Sequence, residues 1–523
     1  MPNIVFKLRT LLPMTALTLS TVLTAGCAVG PDFSLPALFS DAGYDTEEMS
    51  DSTTSADAAH GEAQKFIAAA DIPSAWWSVF RNKDLDNVID TALKANPDLA
   101  AAQAALRQAE ETTDAAIGGL FPTITGDFTA ERQKTSGSSS GGNYRGSTYS
   151  LYNASVKVSY TLDVFGATRR QIEETAAKED YQRFEMEATY LTLASNVVTA
   201  TIQEASLRSQ IATTEKIIAD NTKLMELTEE KFAAGAIARP AVLTQQSQLQ
   251  QAKATLPPLK SQLASVRHQL AVYIGETPNH APKAHFELAQ LKMPHELPLS
   301  LPSQLVDQRP DIRAAESSLQ AANAAIGVAE ANRLPQFTLS GDMGSVGSKV
   351  DKLFTPGSGV WSFGSSVAET IFDAGTLMHQ EHAAEAAYDQ TAAQYRKTVL
   401  AAFQNVADTL HALQSDAETL NAQAENAKSA HENLELVKAQ FEAGAVSSLE
   451  VLTAEITAYT ADLNLTKAQA QRFSDTAALY QALGGGWWNR KQDHADNQEA
   501  APKEGQGTSV AAIKTKSKAR ATN

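Results

Sequence analysis

Three places in the chain carry side chains that could do chemistry. The segment "HQEHAAE" sets His379 and His382 three residues apart, with Glu381 and Glu385 beside them. A zinc hydrolase helix spells HExxH instead, two histidines four apart on one helix face with a glutamate between them as base. The i, i+3 pair therefore reads as exposed polar side chains near the start of a helix. Cys27 is the only cysteine, and no serine or cysteine sits in a recognisable nucleophile elbow. No G-x-x-x-x-G-K-[ST] loop is present to hold a nucleotide. The third place is "FEAGAVSSLEVLT", residues 441–453, where Ser447 and Glu450 have the spacing of a capping box that starts a helix. None of these is a catalytic set, and the chain reads as a non-enzyme.

Cys27 has a different chemistry open to it. Lys7 and Arg9 precede the apolar run from Leu11 to Leu23, and small residues follow, ending in "LTAGC". These are the three parts of a secretory signal, and the run is too short for a stop-transfer helix. An exported chain with one cysteine cannot form an internal disulfide. Ala25, Gly26 and Cys27 resemble the lipobox of bacterial lipoproteins, in which the cysteine is diacylated and becomes the mature N-terminus; Thr24 stands where that motif prefers an aliphatic residue. Two or three acyl chains anchor stably where one does not. The expected segments are a signal peptide over 1–26 and a lipid-anchored arm over 27–75, with no cofactor beyond the covalent lipid on Cys27.

Composition bounds the partners. The 523 residues are 43% hydrophobic and carry a formal net charge of −17 with a pI near 5.1. Such a chain can bury large surfaces but lacks the clustered Lys and Arg on which nucleic acid affinity rests. Residues 34–74, acidic and rich in Ser, Thr, Asp and Ala, read as an extended arm without a core. Residues 487–523, with Lys503, Lys514, Lys516, Lys518 and Arg520, read as a loose solvated tail.

What lies between is written twice. "FEAGAVSSLEVLT" follows "FAAGAIARPAVLT" of residues 232–244 by 209 residues. "NPDLAAAQAALRQAE" from Asn96 recurs as "RPDIRAAESSLQAAN" from Arg309; Pro122 matches Pro335, Gly166 and Gly235 match Gly375 and Gly444, and "YIG" at 273–275 matches "ALG" at 482–484. Two copies of a roughly 200-residue unit, 76–290 and 291–486, therefore fill the chain. Between its paired glycines each copy has about 68 residues with no Gly and no Pro, a helix roughly 100 Å long at 1.5 Å per residue. Tyr181, Phe184, Ala188, Leu191, Val198 and Ile202 recur at three and four spacing, a seam for another helix. The expected pairs are a long helix 167–233 with a return helix 238–275, and 376–442 with 447–483. The quoted motifs are then the tips of two helical hairpins.

The other end of each copy changes period. "YNASVKVSYTLDV" puts Tyr152, Ala154, Val156, Val158, Tyr160 and Leu162 on one face and Asn153, Ser155, Lys157, Ser159, Thr161 and Asp163 on the other. "TITGDFTAE" alternates likewise, "KTSGSSSGGNYRGS" reads as a flexible loop, and "QFTLSGDMG" with "GVWSFGSSVAETIF" supplies the second copy. The strands fall at about 122–165 and 335–373, roughly four per chain. Four strands cannot close a barrel, and an open edge in lipid leaves backbone groups unsatisfied. Chains must pool strands, and a polar inner face favours three chains and about twelve strands around water.

"GCAVGPDF", "AWWSVFRNKDLDNVIDTALKANPDLAAA", "YTLDVFGATRR", "RPDIRAAE" and the paired "FxAGA" turns with "VLT" resemble the outer membrane factors of tripartite efflux pumps, in the lipoprotein branch typified by NodT and OprM, relatives of TolC. The resemblance implies a fold that is mainly α with a membrane β-barrel: a homotrimeric 12-stranded outer membrane barrel continuous with a long periplasmic α-barrel. It also implies passive conduction for an inner membrane transporter, often of the RND class, through a periplasmic adaptor that meets the hairpin tips. A type I protein secretion channel is the second reading and a structural periplasmic coiled coil the third. At the tips the resemblance singles out Phe232, Gly235 and Arg239 in the first hairpin and Phe441, Gly444 and Val446 in the second. Glu450 and Thr453 stand at the acidic ring positions of TolC-like proteins, and Val446 stands where TolC has a gate arginine.

Overall fold

The computed structural model describes residues 28–36, 43–44, 50–135 and 147–490. The signal segment, Cys27, the loop 136–146 and the tail beyond 490 lie outside them. Chain order is β1 (Lys65–Ala68), α1 (Lys83–Ala95), α2 (Pro97–Gly118), β2 (Thr123–Lys134), β3 (Thr148–Leu162), α3 (Ala167–Ala233), α4 (Arg239–Tyr273), β4 (Glu296–Leu299), α5 (Pro302–Gln308), α6 (Pro310–Ala331), β5 (Gln336–Gly347), β6 (Gly359–Ala368), α7 (Thr376–Glu442) and α8 (Ser448–Ala482). The elements of the two copies match in length: 22 residues in α2 and α6, 67 in α3 and α7, 35 in α4 and α8.

Local chemistry starts and stops these helices. Asn96 accepts from the N–H groups of Asp98 and Leu99 at 2.9 and 3.2 Å, with Pro97 in the first turn where its missing N–H costs nothing. At the far end of α3, Gly235 (φ 74°) donates to Phe232 O and Ala236 to Lys231 O, both at 2.9 Å; Gly444 (φ 72°) and Ala445 repeat this after α7 at 2.9 and 2.8 Å. This is the left-handed glycine stop that satisfies the last carbonyls of a helix. In α7 the buried stripe runs Val399, Ala402, Val406, Leu410, Leu413, Ala417, Leu420, Ala424 and Ala427, in steps of three and four as in a coiled-coil seam. Ala454, Ala458 and Ala461 of α8 face its lower part, and alanines on both sides let the helices approach closely. Of the seam read in α3, Phe184, Leu191, Val198 and Ile202 are buried and Tyr181 and Ala188 half-buried. No described helix is long and apolar enough to cross a membrane.

The main core is a band around the middle of the molecule, built from Trp76, Phe80, Ile89, Leu270, Phe286, Leu297 and Phe473, with Trp76 stacked on Tyr480 at 5.5 Å. Here two expectations are corrected. The described part of 34–74 is not coreless: β1 pairs in parallel with β4, Lys65 against Glu296 through Ala68 against Leu299, and Ile72 is fully buried. Its hold is polar. Arg472 of α8, fully buried, donates to Gln64 Oε1 at 3.2 Å, His60 O at 3.0 Å, Thr53 Oγ1 at 3.2 Å and Glu62 O at 2.7 Å. A segment poor in apolar residues stays put because it supplies the acceptors that a buried guanidinium requires. Burial pulls Arg472 below the ordinary arginine range, and it pushes Asp416 on α7 up to about 8, helped by a hydrogen bond to Asp475.

The chain does not loosen at 487 either. Trp487 Nε1 donates to Gln308 O at 2.7 Å, Trp488 Nε1 reaches Asp71 Oδ1 at 3.3 Å, and Arg490 pairs with Glu187 and lies 4.0 Å over the Tyr190 ring. Two half-buried indoles with their N–H groups partnered outweigh the polarity of the residues after them.

Candidate conduction surface and periplasmic tips

Four strands form one antiparallel sheet in the order β2-β3-β5-β6, with β2 and β6 as unpaired edges. Register carries the alternation of each strand across the sheet. Thr125 lies opposite Lys157, Lys157 opposite Asp342, and Asp342 opposite Ser362; one step along, Asp127 faces Ser155 and Ser155 faces Gly344. This face is polar, and Lys157 Nζ bridges diagonally to Asp127 Oδ2 at 3.2 Å. The opposite face brings together Ile124, Phe128, Val156, Val158, Met343, Trp361, Phe363 and Val367, all exposed. Trp361 at 80% and Phe363 at 75% belong to a contiguous bare apolar surface of the kind that marks an interaction or membrane site. The last strand runs Gly359–Ala368, so Glu369 to Phe372, expected within it, lie beyond; Ile371 and Phe372 project from its foot at 97% and 87% exposure.

The sheet stands at one end of α3 and α7, and the hairpin tips stand at the other, about 100 Å away along each helix. At the first tip Phe232 is exposed and Arg239 lies over its ring at 5.9 Å. At the second, Phe441 is exposed and Val446 half-buried. Glu450 accepts from the Ser447 N–H at 2.9 Å, the glutamate half of a capping box, and also from the Ser447 hydroxyl. Thr453 turns its hydroxyl back onto Leu449 O at 2.7 Å. Glu450 and Thr453 remain exposed, one helical turn apart on α8.

Of the histidine group, His379 and His382 meet edge to face at 6.1 Å, and Glu381 is taken by Arg333. Two arginines that sequence reasoning did not single out, Arg170 and Arg472, are buried. Arg472 left a signal, since it follows Ala468 and precedes Thr476 at four-residue spacing on the buried stripe of α8, where a charge demands an explanation.

The profile of the family described as "Outer membrane efflux protein" matches residues 88–276 and 301–485. The pyoverdine export outer membrane protein OpmQ of Pseudomonas aeruginosa is 30% identical over 427 residues, 80% of this chain and 88% of that one. The solvent efflux pump outer membrane protein SrpC of Pseudomonas putida is 29% identical over 486 residues, 91% and 98% of the two chains. Among solved structures, the open state of the Neisseria gonorrhoeae MtrE outer membrane channel superposes with a TM-score of 0.72 at 28% identity, over 89% of this chain and all of that one. Both copies of the repeat, the two-faced sheet and the paired hairpins fall within these matches, and the chain belongs to the outer membrane efflux protein family.

Proposed function

We propose that this protein is the exit duct of a tripartite efflux system in the outer membrane of a Gram-negative bacterium. Three copies pool twelve strands into one barrel, and their helical hairpins continue it as a tube through the periplasm. The observation that carries this is the sheet: one bare apolar face, one polar face, and two unpaired edges. Lipid covers the first, water fills the space behind the second, and only a neighbouring copy removes the third, because hydrocarbon offers no partner to an open edge. Six hairpins, two from each chain, then form the tube, which explains why the turn is written twice. Conduction is passive; energy comes from an inner membrane transporter of the RND class, joined through a periplasmic adaptor at the tips. Light scattering corrected for detergent is expected to give a trimer that conducts ions in planar bilayers. A folded monomer that conducts would refute the pooled barrel.

Cys27 carries the anchor in this reading. Ala28 after it is not an Asp of the kind that marks inner membrane retention, so the acylated chain goes to the outer membrane. Radiolabelled palmitate fed to cells is expected on the wild type and absent from Cys27→Ser; label that survives the substitution would show the lipid to be elsewhere.

A further inference from the structure

Residues 28–32, directly C-terminal to Cys27, lie in a groove between the start of α3 and the C-terminal half of α6. Val29 donates its N–H to Phe165 O at 3.0 Å. Arg170, only 6% exposed, gives Nε to Val29 O at 3.0 Å and Nη2 to Gly30 O at 3.1 Å and Asp32 Oδ1 at 3.2 Å, while its Nη1 holds Glu173 at 2.8 Å. From the other wall Asn323 Nδ2 donates to Pro31 O at 2.8 Å. Backbone meets backbone without side chains between. A Cβ on Gly30 would stand 2.4 Å from Gly327 Cα, one on Gly327 2.9 Å from Val29 O, and one on Gly166 2.7 Å from Ala28 Cα. Approach this close is what glycine permits and any other residue obstructs.

The two walls come from different copies of the repeat: Arg170 from the first, Asn323 and Gly327 from the second. The segment therefore joins them, and its Val29 and Gly30 carbonyls and Asp32 carboxylate are the acceptors for Nε and Nη2 of Arg170. Ala28, the residue after Cys27 in the chain, packs on Gly166, just beyond the end of β3.

We propose that this groove is a seat for the lipid anchor: clasping residues 28–32 fixes the point where the acyl chains of Cys27 leave the protein at the periplasmic rim of the sheet, and fastens the two repeats there. The proposal rests on the reading of Cys27 as acylated and of the sheet as membrane barrel. The clasp is made by protein atoms, so it holds whether or not the lipid is attached.

The test is the separation of two spin labels, at Ser34→Cys and Lys178→Cys, in full-length purified protein diluted with unlabelled copies. Acylation blocks Cys27, leaving only the introduced thiols. A single narrow distance is expected in this parent and in its Cys27→Ser version. Gly327→Leu, which fills the groove without altering the helical backbone, is expected to abolish the narrow peak. A broad distribution in the parent, or a narrow one that survives Gly327→Leu, would overturn the clasp. If Gly327→Leu does not fold, the parent distribution alone decides. Bilayer conductance of the same parent separates the readings: a conducting protein with a loose arm sinks the clasp alone, and a clasped arm in a protein that does not conduct sinks the duct alone.

Discussion

Phe363→Arg is expected to abolish recovery of the trimer from the outer membrane, whereas Ser362→Arg, one residue earlier, leaves the trimer intact and changes its conductance. Both positions are near the middle of β6. Its ten residues span about 33 Å along the strand, which at a tilt of about 40° matches an apolar band about 25 Å tall. Phe363, 75% exposed beside Gly341, belongs to the bare apolar face; Ser362 lies opposite Asp342 on the polar face. An arginine facing lipid at mid-depth costs about 2–4 kcal/mol in each copy, and in the proposed trimer three copies would carry that cost in one barrel. An arginine at 362 meets water and a carboxylate, so it adds charge to the lumen and lowers cation passage. The measurements are trimer yield after extraction and single-channel current. Equal loss from both substitutions would mean that neither face is a lumen.

Glu450→Gln is expected to remove cation preference and divalent block while the thermal midpoint barely moves. Glu450 has two roles open to it. Its carboxylate caps α8 by accepting from the Ser447 N–H at 2.9 Å, and a glutamine oxygen accepts as well, so the cap survives the substitution. Three copies about one axis would also bring three such carboxylates together. At about 6 Å and an effective dielectric of about 20, each pair repels by roughly 3 kcal/mol. Cations at the constriction relieve that repulsion, and a divalent ion bridging the ring relieves it most. Thr453, one turn on, brings no second carboxylate, and Val446 brings no arginine, so Glu450 carries the charge of this tip unaided by those positions. Bilayers under a salt gradient, with and without calcium or magnesium, give the measurement. Selectivity equal to wild type would leave the cap as the residue's whole role.

The sequence by itself determined what depends on neighbours along the chain. A run of about 68 residues free of Gly and Pro makes one long helix, because nothing interrupts its ladder of hydrogen bonds. A left-handed glycine after Phe232 and after Phe441 ends each helix at a tip, and period-two alternation from Tyr152 to Leu162 makes a two-faced strand. The duplicated motifs then set the number of such units, since repetition is visible without any contact. Only the tertiary structure decided where the polar, unpatterned segments go. Residues 53–64 belong to the stretch whose composition reads as an extended arm without a core, yet their carbonyls and Gln64 answer Arg472, more than 400 residues away. The stretch 28–32 is held by Arg170 and Asn323, and Trp487 by the carbonyl of Gln308. In each case one partner is a backbone oxygen and the other a buried guanidinium, an amide or an indole. Every residue has the first and any arginine can be the second, so periodicity can mark Arg472 as buried but does not name its partner until the long helices have brought the distant segments to one level.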